Sequence, residues 1–344
     1  MIPIKNLYYM LSYAFQNLKE NGYKKFAEEK FENAADLLAA ILIKGVSIQL
    51  KQGLARDYIV ETEPLTKLRG KIEIGESIRT NSMQKMQLVC SYDEYSSNTK
   101  MNRILKATMS LLLGADLEPE RKKDLKKLLI YFNGFDSISL NRIDWHFRFN
   151  KNNQSYRFLM SICNLVVDGL LQTQEDGSRR LMDFLDEQRM CRLYEKFIME
   201  YYVKHYRYLN PVPVSLKWPV ENGYDELLPK MRTDVTLKNG NKVLIIDAKY
   251  YERSTQVFYD KHTVHSANLY QIFTYVKSMD FEMQDKPHEV SGMLLYAKTD
   301  DTHQPDPKEP YLMSGNKIMV RTLDLNCDFD QIKKQLDDII KEQL

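Results

Sequence analysis

Cysteine is scarce in this chain, with 4 among 344 residues, and Cys90, Cys163, Cys191 and Cys327 form no CxxC pair. Such spacing argues against a disulfide framework or a zinc ribbon and suits a reducing cytoplasm. Of the 6 histidines only His262 and His265 lie close together, with no second pair to complete a tetrahedral zinc site. An excess of one charge is also missing. A net charge of +2 sets up no global basic field, so any nucleic-acid surface has to be local or supplied by a partner. The longest uncharged apolar run, Leu37 to Ile43, is far too short to cross a bilayer, and no membrane association is expected. Lys5 and Asn6 interrupt the apolar start and no small-residue cleavage site follows, so no secretory signal is expected. A phosphate-binding loop is lacking too. Gly70-x-x-x-x-Gly75 continues with Glu76-Ser77, without the lysine that meets nucleotide phosphates, so the chain is no nucleotide motor by itself.

What remains is an ordinary globular composition, 43% hydrophobic and 28% charged, on a chain long enough for two domains. Helical periodicity runs through residues 4–18 and 31–50, the latter with Leu37, Leu38, Ile41, Leu42 and Val46 on one face. Strands are predicted at 58–65 and 85–92. Asn98 or Thr99 caps a helix reaching Gly114, and further helices follow at 120–132 and 156–171. The best boundary is Asp176-Gly177-Ser178, giving an α+β domain over residues 1–175 and a second domain over 178–344. The second half reads as a helix at 184–206 stopped by Asn210-Pro211, then strands at 214–220, 230–237 and 242–250. A helix at 265–278, strands at 292–298 and 317–325, and an amphipathic helix at 329–343 complete it. That order is α/β, a sandwich around a mixed central sheet.

The most informative stretch is residues 231–250. Two β-rich runs flank Asn239-Gly240, a strong hairpin signal. With those two residues as a type I′ turn, Leu237 pairs with Lys242, Val235 with Leu244 and Asp234 with Ile245. Side chains alternate faces, so Asp234, Asp247 and Lys249 share one face, with the two acids diagonal neighbours roughly 7–8 Å apart at Cα. A three-residue loop would put Asp234 on the opposite face; a four-residue loop preserves the parity. Two carboxylates able to reach one hard cation, with an ammonium beside them, fit a metal-dependent phosphodiesterase. Asp234 and Asp247 are the expected Mg²⁺ ligands, with Mn²⁺ as the alternative and the Ala248 carbonyl as a third oxygen. Lys249 is expected to hold the attacking water and stabilise developing charge. A lone acid-x-Lys match is common on protein surfaces as a plain ion pair. Here Asp247-Ala248-Lys249 ends an apolar strand and has a second acid across a hairpin.

Glu195 lies at the edge of the apolar stripe Met190, Leu193, Tyr194, Phe197, Ile198 and Tyr201, either leaning towards the metal or simply exposed. Gln271 and Tyr275, four apart on a helix, point one way, either ordering Lys249 and the substrate phosphate or packing at the core edge.

Glu195 on a helix, Asp234, Asp247-Ala248-Lys249 and Gln271-x-x-x-Tyr275 together resemble the PD-(D/E)xK endonuclease superfamily, with Thr233 where its pattern has proline. The whole chain resembles the McrC family, the nuclease subunits of McrBC modification-dependent restriction systems. Further matches are Ile2-Pro3-Ile4-Lys5-Asn6-Leu7-Tyr8-Tyr9-Met10-Leu11, Leu68-Arg69-Gly70-Lys71-Ile72 and Asn102-Arg103-Ile104-Leu105-Lys106. The resemblance implies a restriction-endonuclease-like α/β/α domain that cleaves double-stranded DNA in the cytoplasm. It implies a McrB-like AAA+ GTPase hexamer as partner, reading methylcytosine. Residues 1–175 would dock on that ring and stimulate it, with Arg69, Lys71, Arg79 and Arg103 as candidate contacts. A non-catalytic adaptor of the ring and a self-sufficient nuclease on the same fold are the alternatives.

Overall fold

The computed structural model describes residues 2–15, 23, 26, 29–31, 33–151, 153–175, 187–220, 225–251, 253–258, 261–301, 303–307 and 309–344. The expected boundary at Asp176-Gly177-Ser178 lies outside these. Two compact units result, Asn33–Phe184 and a split unit of Met1–Glu32 with Leu185–Leu344. The first helix, α1 (Ile4–Ala14), therefore belongs with the second half of the chain and not with the domain expected over residues 1–175. The cause is specific pairing. Leu7, Tyr8, Met10 and Leu11 are buried, and the Asn6 side chain donates to the carbonyls of Leu325 at 2.8 Å and Cys327 at 2.7 Å.

In the middle unit, α2 (Ala34–Gln52) starts where the Asn33 side chain accepts the Asp36 N–H, satisfying one of the free amides of a helix start. Next come β1 (Asp57–Leu65), β2 (Lys71–Ile72), α3 (Ile74–Arg79) and β3 (Leu88–Ser96), in a sheet ordered β1-β3-β2. The strand expected from residue 85 starts later because Ser82–Lys85 form a tight turn between Asn81 and Met86, both at positive φ. Gly70 also has positive φ, and a Cβ there would fall on the Ser91 carbonyl oxygen, which accounts for the glycine of the Leu68–Ile72 motif. α4 (Lys100–Leu113) is capped by Thr99 and followed by α5 (Pro119–Ile130) and α6 (Tyr156–Glu175). Asn102 is wholly buried. It donates to the carbonyls of Ala55 and Ser97 and accepts from the Tyr156 hydroxyl, tying α4 and α6 to the roots of β1 and β3. Leu37, Ile41, Leu42, Ile104, Leu105, Leu112, Ile162 and Val166 fill the core, each contributing about 1.5–3 kcal/mol of apolar burial.

The split unit continues with α7 (Glu187–His205), β4 (Ser215–Leu216), β5 (Met231–Arg232), β6 (Val235–Asn239) and β7 (Lys242–Lys249). After these come β8 (Gln256–Phe258), β9 (Lys261–Thr263), α8 (Ser266–Glu282), β10 (Glu289–Ala297), β11 (Tyr311–Met313), β12 (Asn316–Leu323) and α9 (Phe329–Gln343). The main sheet runs β11-β12-β10-β7-β6, with β10 parallel to both β7 and β12 and the outer pairs antiparallel. This is the mixed α/β architecture expected. The helix α8 makes the crossover that parallel β7 and β10 require. Its Ile272, Tyr275 and Val276 pack on Val243, Ile245, Leu294 and Tyr296. The strand β7 is buried along Val243–Ala248, as a central strand covered on both faces must be. Two predicted strands are shorter than expected: 214–220 reduces to β4, and 230–237 breaks at Thr233-Asp234 into β5 and β6. The hairpin β8–β9 and edge strand β11 were not foreseen.

Candidate active site

The hairpin β6–β7 pairs Val235 with Ile246, Leu237 with Leu244 and Asn239 with Lys242. The turn residues are therefore Gly240 and Asn241, two positions of register away from the expected pairing. Gly240 has φ of 59° while Asn241 does not have positive φ, the signature of a type II′ turn in place of the expected I′. A shift of two preserves parity, so Asp234, Asp247 and Lys249 stay on one side. Continued by one pair, the register sets Asp234 directly opposite Asp247, closer than the diagonal relation expected.

The strand break places Asp234. Thr233 exchanges backbone hydrogen bonding with Val214, its N–H donating to the Val214 carbonyl at 3.0 Å, while its hydroxyl accepts from the Val214 N–H at 2.8 Å. Proline at this position would lose the first bond. The Thr233 and Thr236 hydroxyls share a 2.9 Å bond that fixes the bend from inside. Asp234 Oδ2 then accepts the Ala248 N–H at 2.9 Å.

Asp247 has no exposed surface, and Lys249 Nζ lies 2.8 Å from its Oδ2. The contact is one of charge and not an aligned hydrogen bond, so neither Asp247 oxygen has a well-directed partner. Burial raises the pKa of both carboxyls. The Lys249 ammonium opposes the rise, and Asp234 adds to it at Asp247. At Lys249 burial disfavours the charge, but the Asp247 and Asp234 carboxylates outweigh it and hold the pKa above the ordinary lysine value. Lys249 also donates to Gln271 Oε1 at 2.9 Å, and Gln271 Nε2 donates to the Tyr275 hydroxyl at 2.8 Å. The four-residue spacing thus delivers one continuous chain, Lys249–Gln271–Tyr275.

Glu195 is half-buried on α7. Burial raises its pKa first, and the nearby Asp234 charge raises it further. The Cys191 thiol, one turn earlier, donates to Glu195 Oε1 at 3.2 Å. Sequence reasoning missed this thiol and the Thr233 network, although the i,i+4 spacing of Cys191 and Glu195 was legible. Among the described residues no three His, Cys, Asp or Glu side chains converge as a ready-made metal cage. A buried pair with an orphaned carboxylate oxygen nonetheless fits Mg²⁺, which takes one or two carboxylates and keeps waters.

The candidate ring contacts lie in the middle unit. Arg69 pairs with Glu94 at 2.7 Å and lies over the Tyr92 ring, Lys71 pairs with Glu73, and Arg79 pairs with Glu76. All three side chains are largely exposed. Arg103 differs, being mostly covered and 3.8 Å from Asp136. Elsewhere His262 stacks on His303 at 3.8 Å in the wall of a cavity of about 950 Å³, which none of Glu195, Asp234, Asp247, Lys249, Gln271 and Tyr275 lines. No described helix is long and apolar enough to cross a membrane.

Fold and site together define a mixed α/β protein with paired acids and a lysine at the end of a central buried strand. Residues 4–297 match the family described as McrBC 5-methylcytosine restriction system component. The chain is 31% identical over 352 residues to the type IV methyl-directed restriction enzyme EcoKMcrBC of Escherichia coli (strain K12), covering 100% of this chain and 99% of that protein. The chain belongs to this McrBC family. Among solved structures it is similar to a half-complex of Thermococcus gammatolerans McrB AAA+ hexamers with bound McrC, at 17% identity and TM-score 0.46 over 95% of this chain and 75% of that one. A Thermococcus gammatolerans McrBC complex is similar at 20% identity and TM-score 0.39 over 59% and 58% of the two chains.

Proposed function

We propose that the chain is the DNA-cutting subunit of a modification-dependent restriction system, a Mg²⁺-dependent endodeoxyribonuclease of PD-(D/E)xK type. The observation that carries this reading is Asp234 set across from a fully buried Asp247, with Lys249 2.8 Å from Asp247 and the Asp247 oxygens lacking aligned partners. Such an arrangement is costly for stability alone, since like charges and an unsatisfied buried carboxylate both oppose folding. Asp234, Asp247 and the Ala248 carbonyl would hold the cation. When bound, Mg²⁺ supplies Lewis-acid polarisation of the scissile phosphate and lowers the pKa of water.

Lys249 orients the attacking water and offsets charge developing on the phosphoryl oxygens. Gln271 keeps the ammonium aimed by accepting a hydrogen bond from it, and Tyr275 fixes the amide in turn by accepting from its N–H. In this reading the partner is a McrB-like AAA+ GTPase hexamer, which the match to the McrBC family supports. The substrate is double-stranded DNA carrying methylcytosine, cut in the cytoplasm. Arg69, Lys71 and Arg79 are the proposed ring contacts.

The test combines full chain, GTPase partner, GTP and Mg²⁺ with methylated and unmethylated DNA. Cleavage of methylated DNA that is lost with chelator and with Asp247→Asn supports the reading. Undiminished cleavage by Asp247→Asn would place the chemistry elsewhere.

A further inference from the structure

The helix α7 carries a second group beside Glu195 whose position is tied to the strand end. Cys191 and Glu195 are one turn apart on the same face, and the thiol donates to Glu195 Oε1 at 3.2 Å. Among the described residues this is the one hydrogen bond made to the Glu195 carboxylate. On the same helix the ring of Tyr194, the neighbour of Glu195, lies 6.3 Å from the ring of Tyr250, the residue after Lys249. The stretch of α7 that carries the thiol and the carboxylate therefore packs at the end of β7. Glu195 in turn lies near enough to Asp234 and Lys249 for both charges to act on its carboxyl. Independently, the buried Asp247 oxygens lack aligned partners, which points to a cation at this spot.

We propose that Cys191 is a positioning residue of the metal site. Its thiol holds the Glu195 carboxylate turned towards Asp234, as an outer acid that meets the cation through water. This rests on the metal-site reading above. The thiol is the donor in this bond, and burial, then the hydrogen bond to Glu195, push its pKa up to about 11. A thiol is a weak donor, and serine at the same place is a stronger one of similar reach.

The experiment is Mn²⁺ binding to the full chain by calorimetry, with no DNA, for wild type, Cys191→Ala, Cys191→Ser, Glu195→Gln and the Cys191→Ala/Glu195→Gln double variant. Cys191→Ala is expected to weaken binding on the order of tenfold, the usual effect of removing a group that orients a metal site. Cys191→Ser retains most of the affinity. In the Glu195→Gln background, Cys191→Ala has no further effect, because the two act as one unit. Unchanged affinity in Cys191→Ala, or an equal loss with Glu195 already replaced, overturns the inference. If Cys191→Ala fails to fold by thermal melting, Cys191→Val against Cys191→Ser makes the same donor comparison. Asp247→Asn is measured alongside: if it leaves Mn²⁺ binding intact, the metal-site reading fails, whereas loss in Asp247→Asn with no effect at Cys191 overturns this inference alone.

Discussion

Asp234 does not sit diagonally from Asp247; it sits across from it, with Oδ2 held at 2.9 Å by the N–H of Ala248, the residue between Asp247 and Lys249. The two acids are therefore locked together by the backbone of the very tripeptide that supplies the lysine. Because the fold alone sets this geometry, the cost of bringing two carboxylates together is borne by the fold.

That cost gives a pH-dependent stability. Asp247 has a folded-state pKa raised above its ordinary 3.8 by burial and then by Asp234, against the pull of Lys249. The folded state binds more protons than the unfolded one, so the metal-free protein loses stability as pH rises through the window opening at 3.8. Asp247→Asn should flatten this slope and raise the melting temperature at neutral pH while abolishing cleavage. Chelator-treated samples melted across the pH series test it, and a slope unchanged in Asp247→Asn would contradict the origin given.

Lys249 separates from the ligands in its kinetics. Lys249→Ala is expected to bind Mn²⁺ yet lose most turnover, since it removes charge stabilisation and leaves the metal-holding oxygens in place. Lys249→Arg should rescue only partly, because the planar guanidinium cannot match a single ammonium between Asp247 and Gln271. Gln271→Ala should lower turnover less than Lys249→Ala does. Equal losses in all three variants would mean that the ammonium has no separate role.

Gly292 controls the seat of the helix that bears Gln271 and Tyr275. A Cβ there would approach Val276 Cγ2 to 2.6 Å and Ile272 Cγ1 to 2.8 Å. Gly292→Ala should destabilise the fold by about 1–3 kcal/mol and displace α8, lowering cleavage although Gly292 touches no substrate. Denaturant unfolding and turnover should fall together; full activity with wild-type stability would show that α8 accommodates the methyl group.

In the middle unit Asp36 is 1% exposed, accepts the Glu118 N–H and pairs with Arg121 at 3.3 Å. Asp36→Ala removes the buried acceptor of the Glu118 N–H and of Arg121 and should cost about 1–3 kcal/mol, with Asp36→Asn milder because it still accepts. Hydrogen exchange of α2 and α5 reads the effect directly, and unaltered protection there would refute it.

Charge reversal tests the proposed ring contacts in the full chain. The Arg69→Glu, Lys71→Glu and Arg79→Glu variants should each reduce stimulation of the partner's GTP hydrolysis, while Arg103→Gln, being largely covered, should act mainly through stability. GTPase rates measured beside melting curves distinguish the two; stimulation undiminished by all three reversals would move the contact elsewhere.

The sequence by itself determined the mixed α/β class, the apolar central strand, the Asp247-Ala248-Lys249 end and the common face of Gln271 and Tyr275. Each follows from local period or spacing, which neighbours along the chain dictate. Given an even-length loop, it also put Asp234 on the side of Asp247, because parity survives a shift of register by two; that the loop is even is a finding of the structure. Tertiary structure decided the rest. Whether the hairpin turns at Asn239-Gly240 or Gly240-Asn241 depends on which pairing lets Thr233 reach Val214 and Asp234 reach Ala248, contacts that local propensity does not encode. Whether α1 joins the middle unit or the split one depends on the Asn6 bonds to Leu325 and Cys327, more than 300 positions away. The raised pKa values of Asp234 and Asp247 likewise exist only once burial removes water from both carboxyls, and burial is a property of the packed sheet and not of the tripeptide.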